Sequence, residues 1–334
     1  MVVDLISSTS ETTPFQEIPN IIHYVHILPP ASKNKDPILD FKFRHFVSVY
    51  SAWLYARPDI IYIHTNGGPD QVRHAKDSSN QWTRAIANLP SVEFKYSELP
   101  TRTTKGLEIV NYANRADFIR TRVIQQYGGI YIDEDIYLLK DLKELRLAGF
   151  ENVVGRQQGG QICNGMFMAK PGSDMSRAFY GLQDSAFDGG WTTHGVELLT
   201  RLVSEFAGRE REVLIMEQWA FFPYSWEEWG VKAIYETHDT RQGKEIFSME
   251  EAQNFNFTTF MKAFELKPGW GWRIDWRQSY AVHGWNSQTG GREWLFGEFG
   301  GITMKYVLAR NSNFARAVYP AVKHALAAGV IAAE

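Results

Sequence analysis

Hydrophobic positions along the first half of the chain follow two periods in turn, and this alternation predicts strands and helices. Apolar, β-rich runs predict three strands, over residues 18–27, 60–64 and 92–96. Between them, apolar positions at helical spacing predict a helix over residues 39–54, which Pro58 ends, and a more polar helix that includes Trp82 and Ile86. Strands that alternate with helices are typical of a largely parallel sheet covered on both faces.

The next segment continues the alternation and brings acidic residues to the end of a strand. Helical spacing predicts a helix from Tyr112 to Tyr127, and Gly128-Gly129 breaks it before an apolar strand over residues 130–132. Asp133-Glu134-Asp135 follows that strand directly. Ligands of open α/β sheets bind beyond the carboxyl ends of the strands, so this is the place where acidic side chains are expected to act.

The pattern is less regular in the second half of the chain. Apolar stretches and one helical pattern recur there, over residues 153–154, 166–169, 196–206 and 213–216. The stretch from Trp219 to Trp229 is dense in aromatic residues that would suit sugar stacking, although most aromatics of this kind are simply core.

Composition narrows the range of functions. With 334 residues, 44% of them hydrophobic, the chain suits one large domain or two closely packed ones. The formal net charge is −3, from 35 basic and 38 acidic residues, so a basic surface for nucleic acid is not expected. Cys163 is the single cysteine, which excludes an intramolecular disulfide, and the sequence predicts no membrane-spanning segment and no signal peptide.

The two aspartates have the chemistry of a cation site. At positions i and i+2 of an extended backbone, Asp133 and Asp135 would point to the same side while Glu134 points away. Carboxylate oxygens suit Mg²⁺ or Mn²⁺, which takes its remaining ligands from water and substrate phosphates. An Asp-x-Asp alone is a weak signal, since most such triplets are solvated charge. Its position after a buried strand favours function, because two desolvated carboxylates need a compensating cation or donors.

These residues also resemble a known family. The run from Asn114 to Arg120 and on from Tyr127 to Asp135 resembles the sugar-binding Asp-x-Asp region of glycosyltransferase family 32. That family includes fungal initiating mannosyltransferases and α-galactosyltransferases, and the glucosylating domains of large clostridial toxins share a similar pattern. Further segments are similar to other signatures of the family, namely residues 18–23, 164–167 with 171–172, 222–226 and 281–285.

The resemblance implies a GT-A type α/β fold, with a Rossmann-like, mostly parallel sheet flanked by helices. In this interpretation residues 1–17 are a polar lead-in and residues 311–334 form a C-terminal helix. A single catalytic domain spans residues 18–310. Residues 18–142 of that domain bind the nucleotide sugar, and the less regular residues 143–310 face the acceptor.

The resemblance also implies a role for individual residues. The predicted catalytic residues are Asp117, Arg120, Asp133 and Asp135. The predicted metal ligands are Asp133, Asp135 and His283. The predicted donor-binding residues are Val25, His26, Asn111, Asp117, Arg120, Tyr131, Asp133, Asn164 and Trp285.

Plainer interpretations and departures from the family pattern stand beside these roles. Asp117 and Arg120 are at i and i+3 on a helix, where an ordinary ion pair is the default, and His283 could be a hydrogen-bonded structural histidine. Relatives often place a tryptophan near His26 to stack on the nucleobase. Thr193-His194-Gly195 replaces their usual Thr-Gly-Pro, so acceptor geometry is expected to differ.

The resulting expectation is a retaining, Mn²⁺- or Mg²⁺-dependent transfer of a hexose from a nucleotide sugar. UDP-hexose is favoured as donor, with GDP-mannose as the alternative, and the acceptor is a glycan, lipid, protein or small molecule. Two other functions stay open: a haloacid-dehalogenase-like phosphotransferase that uses Asp133 as nucleophile, and a non-catalytic sugar-binding protein. A cytoplasmic location is expected, with the Golgi lumen as the alternative if a native anchor is missing from this sequence; the oligomeric state is left open.

Overall fold

A central β-sheet with helices on both faces organises the structure, a computed structural model that describes residues 17–30, 37–238, 274–285 and 301–333. The strands in these ranges are β1 (Ile21–Val25), β2 (Ile60–Thr65), β3 (Val92–Tyr96), β4 (Gly129–Ile132), β5 (Ile136–Leu138), β6 (Asn152–Arg156), β7 (Ile162–Ala169), β8 (Val213–Met216) and β9 (Ala281–His283).

Seven of these strands form one sheet in the order β3-β2-β1-β4-β7-β6-β8. Strand β7 pairs antiparallel with both β4 and β6, and the other neighbours pair in parallel. The predicted α/β class, with a mostly parallel sheet flanked by helices, is confirmed.

The helices lie mainly in the connections between strands. They are α1 (Phe43–Ala56), α2 (Pro69–Lys76), α3 (Gln81–Ala87), α4 (Tyr112–Tyr127), α5 (Lys143–Arg146), α6 (Asp174–Ala186), α7 (Leu198–Phe206), α8 (Gln218–Phe221), α9 (Glu228–Tyr235), α10 (Met304–Ala309) and α11 (Asn313–Ala327). A π-helical turn, Thr193–Glu197, precedes α7. Among the described residues, no helix has both the length and the apolar character needed to cross a bilayer.

Two hydrophobic cores cover the opposite faces of the sheet. One contains apolar side chains of α1, α3, α9 and α11, packed on the strands. The other contains side chains of α4, α6 and α7. Because both faces are covered, β4 is buried along its whole length, and residues that follow it enter the site from a rigid support.

The end of α4 fixes where β4 begins. Asn111 caps the first turn of α4, since its side-chain oxygen accepts a hydrogen bond from the Ala113 N–H at 2.8 Å. At the other end, Gly129 has a φ of 94°, and a Cβ there would lie 2.4 Å from the Ile21 carbonyl oxygen of β1. Only glycine permits this approach, which seats β4 directly beside β1.

A small second sheet, which the sequence did not predict, brings a distant segment to the end of β4. Strand β5 pairs antiparallel with β9, so that Ile136 lies opposite His283. The Gly284 N–H also donates a hydrogen bond to the Asp135 carbonyl at 2.7 Å. A three-residue strand leaves too short an apolar run to be recognised, and its partner is far away in sequence.

Most other predicted elements have their counterparts. The strand predicted over 92–96 and the helix Tyr112–Tyr127 coincide with the observed elements, whereas the first strand is shorter than predicted, Ile21–Val25. The division into a domain over residues 18–310 and a C-terminal segment stays a prediction. The lead-in over residues 1–17 lies outside the described residues, apart from Glu17.

Candidate active site

A cavity of about 780 Å³ opens where β1 and β4 end, and it contains nearly every residue predicted for the site. Its lining includes Val25, Asn111, Asp117, Arg120, Tyr131, Asp133, Asp135, Asn164, His283 and Trp285. Of the predicted residues, only His26 is missing from the lining. The volume falls in the range of ligand pockets, so the structure brings these residues together around a space of suitable size.

The acidic triplet is shaped by a turn, and not by the extended backbone that the sequence analysis assumed. Ile136 N–H donates to the Asp133 carbonyl at 3.0 Å, which closes a turn over residues 133–136. Glu134 is not part of the cluster that Asp133 and Asp135 form with His283, and it pairs with His26 instead. All three acidic residues of the triplet line the cavity.

Asp133, Asp135 and His283 form the predicted metal-ligand cluster. Each offers one ligand atom, and these atoms lie within 4.8 Å of one another. His283 Nε2 is 3.1 Å from Asp135 Oδ1. In an octahedral site with metal–ligand bonds of about 2.1 Å, adjacent ligand atoms are about 3 Å apart, so this pair already has a suitable separation.

The space and the charge at this cluster also fit a divalent cation. At Gly165 a Cβ would lie 2.9 Å from Asp133 Oδ2 and 3.4 Å from His283 Cε1, so only a glycine leaves the gap between these side chains open. Burial raises the pKa of Asp133 to about 6, although Arg120 opposes this. Two carboxylates at one buried point are costly without a cation, and a strongly shifted pKa in a cleft is typical of a functional site.

His283 is already held in a ligand's position by Asp135. Burial alone would lower the pKa of His283, but the Asp135 carboxylate and the Cys163 thiol beside it raise that pKa to about 10. A histidine binds metal in its neutral form, so a cation would compete with this proton. The Trp285 ring stacks on His283 with 3.7 Å between centroids, and its indole N–H donates to the Tyr224 carbonyl at 3.0 Å.

Arg120 is buried and joins the acidic residues of α4 and of the β4 turn. One guanidinium nitrogen lies 2.9 Å from Asp133 Oδ1 and 3.3 Å from Asp117 Oδ1, and the other donates to the Asn164 carbonyl at 2.8 Å. Burial disfavours the charge, but the carboxylates of Asp133 and Asp117 hold the pKa of Arg120 above its usual value. The i,i+3 ion pair of the plain interpretation is thus present, and the same arginine also faces the cavity.

Asp117 is surrounded by polar partners from three segments. Its Oδ1 accepts a hydrogen bond from Asn164 Nδ2 at 2.9 Å, while Oδ2 lies 3.0 Å from Nε2 of the fully buried His194. That His194 contact is close but not aligned as a hydrogen bond, since Nε2 lacks a partner of acceptable angle. The segment Thr193-His194-Gly195, which departs from the usual Thr-Gly-Pro, therefore places the His194 imidazole directly beside Asp117.

Tyr131 supports the first aspartate of the motif. Its hydroxyl donates to Asp133 Oδ1 at 2.6 Å, and its ring lies 4.5 Å from the Arg120 guanidinium carbon. Burial raises the pKa of Tyr131 well above the usual value, so the hydroxyl stays protonated and can keep donating.

Glu134 and His26 form a pair at the end of the cavity next to α1. His26 Nδ1 is 2.7 Å from Glu134 Oε1, and the His26 ring lies against Phe41 with 4.2 Å between centroids. Burial alone would raise the pKa of Glu134, but His26 and His45 lower it. Because His26 is not in the cavity lining, its predicted role in donor binding has no counterpart here and stays a prediction.

Several lining residues were missed by the sequence analysis. They include Ile27, Arg44, His45, Tyr112, Gln157, Gln161, Trp191, Thr192, Val196 and Trp226, besides Glu134. Arg44 and His45 lie on the predicted first helix, but the periodic signal of that helix comes from its buried apolar stripe and says nothing about its polar residues. Trp226 belongs to the aromatic stretch noted above, whereas Trp191 is on a loop whose sequence carries no periodic signal.

Comparison with known proteins finds a family that matches part of the chain around this site. Residues 44–157 match the family described as "Glycosyltransferase sugar-binding region containing DXD motif". This part of the chain is thus similar to the sugar-binding region of a glycosyltransferase family. The predicted resemblance is thereby confirmed, and the DXD motif of the family corresponds to Asp133-Glu134-Asp135.

Curated proteins similar to this chain agree with the match. It is 26% identical over 235 residues to glucan organizing enzyme 1 of Cryptococcus neoformans, which covers 67% of this chain and 58% of that protein. It is 27% identical over 143 residues to lactosylceramide 4-alpha-galactosyltransferase of Gorilla gorilla gorilla, covering 40% and 41%. The chain thus spans well under two thirds of the length of each of these relatives.

Solved structures similar to this chain have low sequence identity to it. The apo-form glycosyltransferase GlyE of Streptococcus pneumoniae is 11% identical with a TM-score of 0.43, covering 93% of this chain and 64% of that one. Mouse xyloside xylosyltransferase 1 is 10% identical with a TM-score of 0.41, covering 81% and 99%.

Proposed function

We propose that this protein is a metal-dependent, retaining glycosyltransferase that moves a hexose from a nucleotide sugar to an acceptor hydroxyl. UDP-hexose is the favoured donor, with GDP-mannose as the alternative. Mn²⁺ or Mg²⁺ would be held by Asp133, Asp135 and His283. A bound divalent cation would neutralise charge on the diphosphate leaving group.

One observation carries the proposal. Two carboxylates and an imidazole, from a turn after β4 and from β9, meet within 4.8 Å at the wall of a cavity large enough for a nucleotide sugar. The polar surroundings of the cluster fit the same purpose, because Arg120 adds a permanently charged donor beside it. An arrangement of this kind stabilises negative charge where it develops in the transition state.

The residues of the chain have separate tasks in this reaction. Arg120 would donate to the leaving diphosphate, while Asp117 and Asn164 would accept from and donate to hydroxyls of the donor sugar. The acceptor oxygen forms the new bond to the anomeric carbon on the face from which the diphosphate leaves. The bond from the anomeric carbon to the diphosphate oxygen breaks, and the acceptor's proton passes to that oxygen.

Donor hydrolysis without an acceptor tests the proposal directly. The protein is incubated with UDP-glucose, UDP-galactose, UDP-N-acetylglucosamine or GDP-mannose, with Mn²⁺ or with a chelator, and the nucleoside diphosphate released is measured. We expect release from at least one donor that depends on the metal. The anomeric configuration of the hexose transferred to an acceptor, followed by NMR, then tests retention.

Other outcomes would point to the two alternative functions. No nucleotide release from any of these donors, with sugar binding preserved, would support a non-catalytic sugar-binding protein. Phosphate release from simple phosphomonoesters, unaffected by nucleotide sugars, would favour the phosphotransferase. Because Asp133 Oδ1 is already occupied by Tyr131 and Arg120, the structure offers that rival no specific support.

A further inference from the structure

The lining of the cavity also includes a group of uncharged side chains. The ionisable residues of the lining belong to α1, α4, β4, the turn over residues 133–135, β7 and β9. Six further lining residues come from three other segments, and they are Gln157, Gln161, Trp191, Thr192, Val196 and Trp226. None of these six residues is ionisable, and the group is called the neutral side below.

The two tryptophans of the neutral side are unusually accessible. Trp191 is 45% exposed and Trp226 is 40% exposed, whereas Trp285 on the charged side is 5% exposed. A large aromatic ring left accessible inside a cavity costs hydrophobic free energy unless a ligand covers it. Its flat, apolar face and polar edge suit a ligand that is apolar on one face and polar around its rim.

The segment that carries Trp191 is held in place by local hydrogen bonds. Asp188 Oδ1 accepts from the Gly190 N–H and from the Thr193 hydroxyl, both at 2.7 Å. The π-helical turn follows at once, with the Glu197 N–H donating to the Thr192 carbonyl at 3.0 Å. Trp191 is therefore presented by an ordered backbone, which reduces the entropy that binding has to overcome.

The segment that carries Trp226 is tied to the glutamine turn. Glu227, the next residue, accepts a hydrogen bond from Gln158 Nε2 at 3.0 Å and one from the Trp229 indole at 2.5 Å. Gln157 and Gln161 flank Gln158, and the Gln157 N–H donates to the Gln161 carbonyl at 2.7 Å. The segment that carries Trp226 is thus linked to the turn that carries the two side-chain amides, and Trp226, Gln157 and Gln161 all line the cavity.

We propose that the neutral side binds the acceptor and that the acceptor is an uncharged saccharide, an inference that rests on the proposed transferase function. A pyranose ring has apolar C–H faces that would stack on Trp191 and Trp226. Its hydroxyls both donate and accept, as do the amides of Gln157 and Gln161. An anionic acceptor would find no cation among these six lining residues, and a lipid chain would offer the amides no partner beyond the hydrogen bond that Gln157 Nε2 donates to Gln161 Oε1 at 3.3 Å.

The proposal fixes which group reacts. A hydroxyl of the bound saccharide forms the new bond to the anomeric carbon of the donor hexose, and the bond from that carbon to the diphosphate breaks. The hydroxyl proton goes to the departing diphosphate oxygen. The product is a saccharide longer by one hexose, and the nucleoside diphosphate stays on the charged side.

Competition between transfer and hydrolysis tests the acceptor class. With the donor that the hydrolysis assay identifies, the ratio of transfer to hydrolysis is measured for lactose, maltose and cellobiose. It is also measured for glucuronic acid, ceramide and a serine- and threonine-rich peptide. We expect transfer to at least one neutral disaccharide. Transfer confined to glucuronic acid, ceramide or peptide would overturn the inference, and octyl lactoside against lactose separates a glycolipid source from a free sugar.

Variants locate the binding side. Trp191→Ala and Trp226→Ala should each lower the ratio of transfer to hydrolysis by about tenfold, with Trp226→Phe intermediate, because a stacked indole contributes much of the contact area. Tyr180→Ala removes an aromatic residue that is 45% exposed on α6, outside the cavity lining, and should leave the ratio unchanged. Equal ratios in all four variants would overturn the inference.

A binding measurement separates this inference from the proposed function. Saturation-transfer-difference NMR with the disaccharides needs no turnover. Magnetisation transfer from the protein should be stronger to the protons of one face of the sugar, and this difference should be lost in Trp226→Ala. If wild type releases no nucleotide but this signal is present, the transferase proposal fails and the saccharide site stands. If nucleotide is released but the signal is absent, the saccharide site fails.

Discussion

Asp135 makes two contacts that can be separated experimentally. Its side chain lies 3.1 Å from His283 Nε2, and its main-chain carbonyl accepts the Gly284 N–H at 2.7 Å. The second contact belongs to the pairing of β5 with β9 and does not depend on the side chain. Removing the charge of Asp135 should therefore affect the metal site while leaving the strand pairing in place.

Asp135→Asn is expected to lower metal-dependent donor turnover by about a thousandfold, or ~4 kcal/mol of transition-state stabilisation, because an anionic ligand is lost. Turnover is measured as nucleoside diphosphate release at saturating donor, and folding by circular dichroism. Asp77→Asn, at an exposed position at the end of α2, is the matched control and should behave as wild type. Near-normal turnover of Asp135→Asn in Mn²⁺ would contradict the metal assignment.

Arg120 cannot be tested by truncation alone, because it compensates two buried carboxylates. Removing one partner of such a pair costs about 3–5 kcal/mol of folding stability. Arg120→Lys keeps the charge but loses the planar donor pair that reaches Asp133 and the Asn164 carbonyl. We expect donor turnover to fall about tenfold to a hundredfold.

The metal affinity of Arg120→Lys distinguishes a donor contact from a structural ion pair. Mn²⁺ binding, followed by electron paramagnetic resonance of the free ion, should stay close to wild type. A parallel loss of metal affinity and turnover would instead indicate that Arg120 mainly holds Asp117 and Asp133 in place.

At the scale of elements, a chain of histidines joins the strands that carry the site. His23 Nδ1 on β1 is 2.9 Å from His64 Nε2 on β2, and His23 Nε2 is 3.0 Å from the Gly128 carbonyl before β4. The Gly128 carbonyl can only accept, so His23 Nε2 carries the proton and His64 Nε2 donates to His23 Nδ1. Burial lowers the pKa of His23 to about 4 and that of His64 to about 3, so both are neutral in the folded protein.

The two buried histidines, His23 and His64, predict that the protein loses stability in mild acid. Unfolded histidines titrate near 6.5, whereas these two stay neutral when folded, so between pH 6.5 and about 4 the unfolded state binds more protons. The free energy of unfolding should therefore be fully retained above pH 6.5 and fall as the pH is lowered, by up to about 1.4 kcal/mol per pH unit for each histidine. Urea unfolding at several pH values measures this slope.

Two variants test whether the buried histidines cause the change in the free energy of unfolding with pH. His64→Gln removes one of the titrating groups, so its slope between pH 6.5 and 4.5 should be shallower than that of wild type. His74→Gln changes an exposed histidine of α2 and should leave the slope as it is. Identical slopes for wild type and His64→Gln would show that the buried pair does not control acid stability.

The elements that could be predicted from sequence are those with strong local signals. The helix Tyr112–Tyr127 has a periodic stripe and a glycine stop, and it was placed correctly to the residue. Asp133 and Asp135 were found because they follow a buried strand. By contrast, the contact of His194 with Asp117 depends on a π-helical turn, and that of Glu134 with His26 on a β-turn. Neither turn has a periodic pattern in the sequence, so these two contacts could not be predicted from sequence and are known only from the three-dimensional structure.

At the scale of the whole molecule, the site exists only when distant segments have come together. His283 and Asp135 are 148 residues apart in sequence, and Arg120 reaches Asp133 from a different element. A nucleotide sugar and a cation would therefore contact groups that the unfolded chain keeps far apart. Ligands of this kind bind the folded state and not the unfolded state, which makes stability a readout of binding.

A thermal-shift screen uses this linkage to identify the donor. At a ligand concentration about 100 times Kd the folded state gains about 2.7 kcal/mol, which should raise the Tm by roughly 3–6 °C. We expect UDP-hexose with Mn²⁺ to raise the Tm by more than the sum of the separate shifts, because the diphosphate and the cation share ligands. In Asp135→Asn this excess should vanish. A larger excess with GDP-mannose would reverse the predicted base preference, and additive shifts for every donor would contradict a shared site at the end of β4.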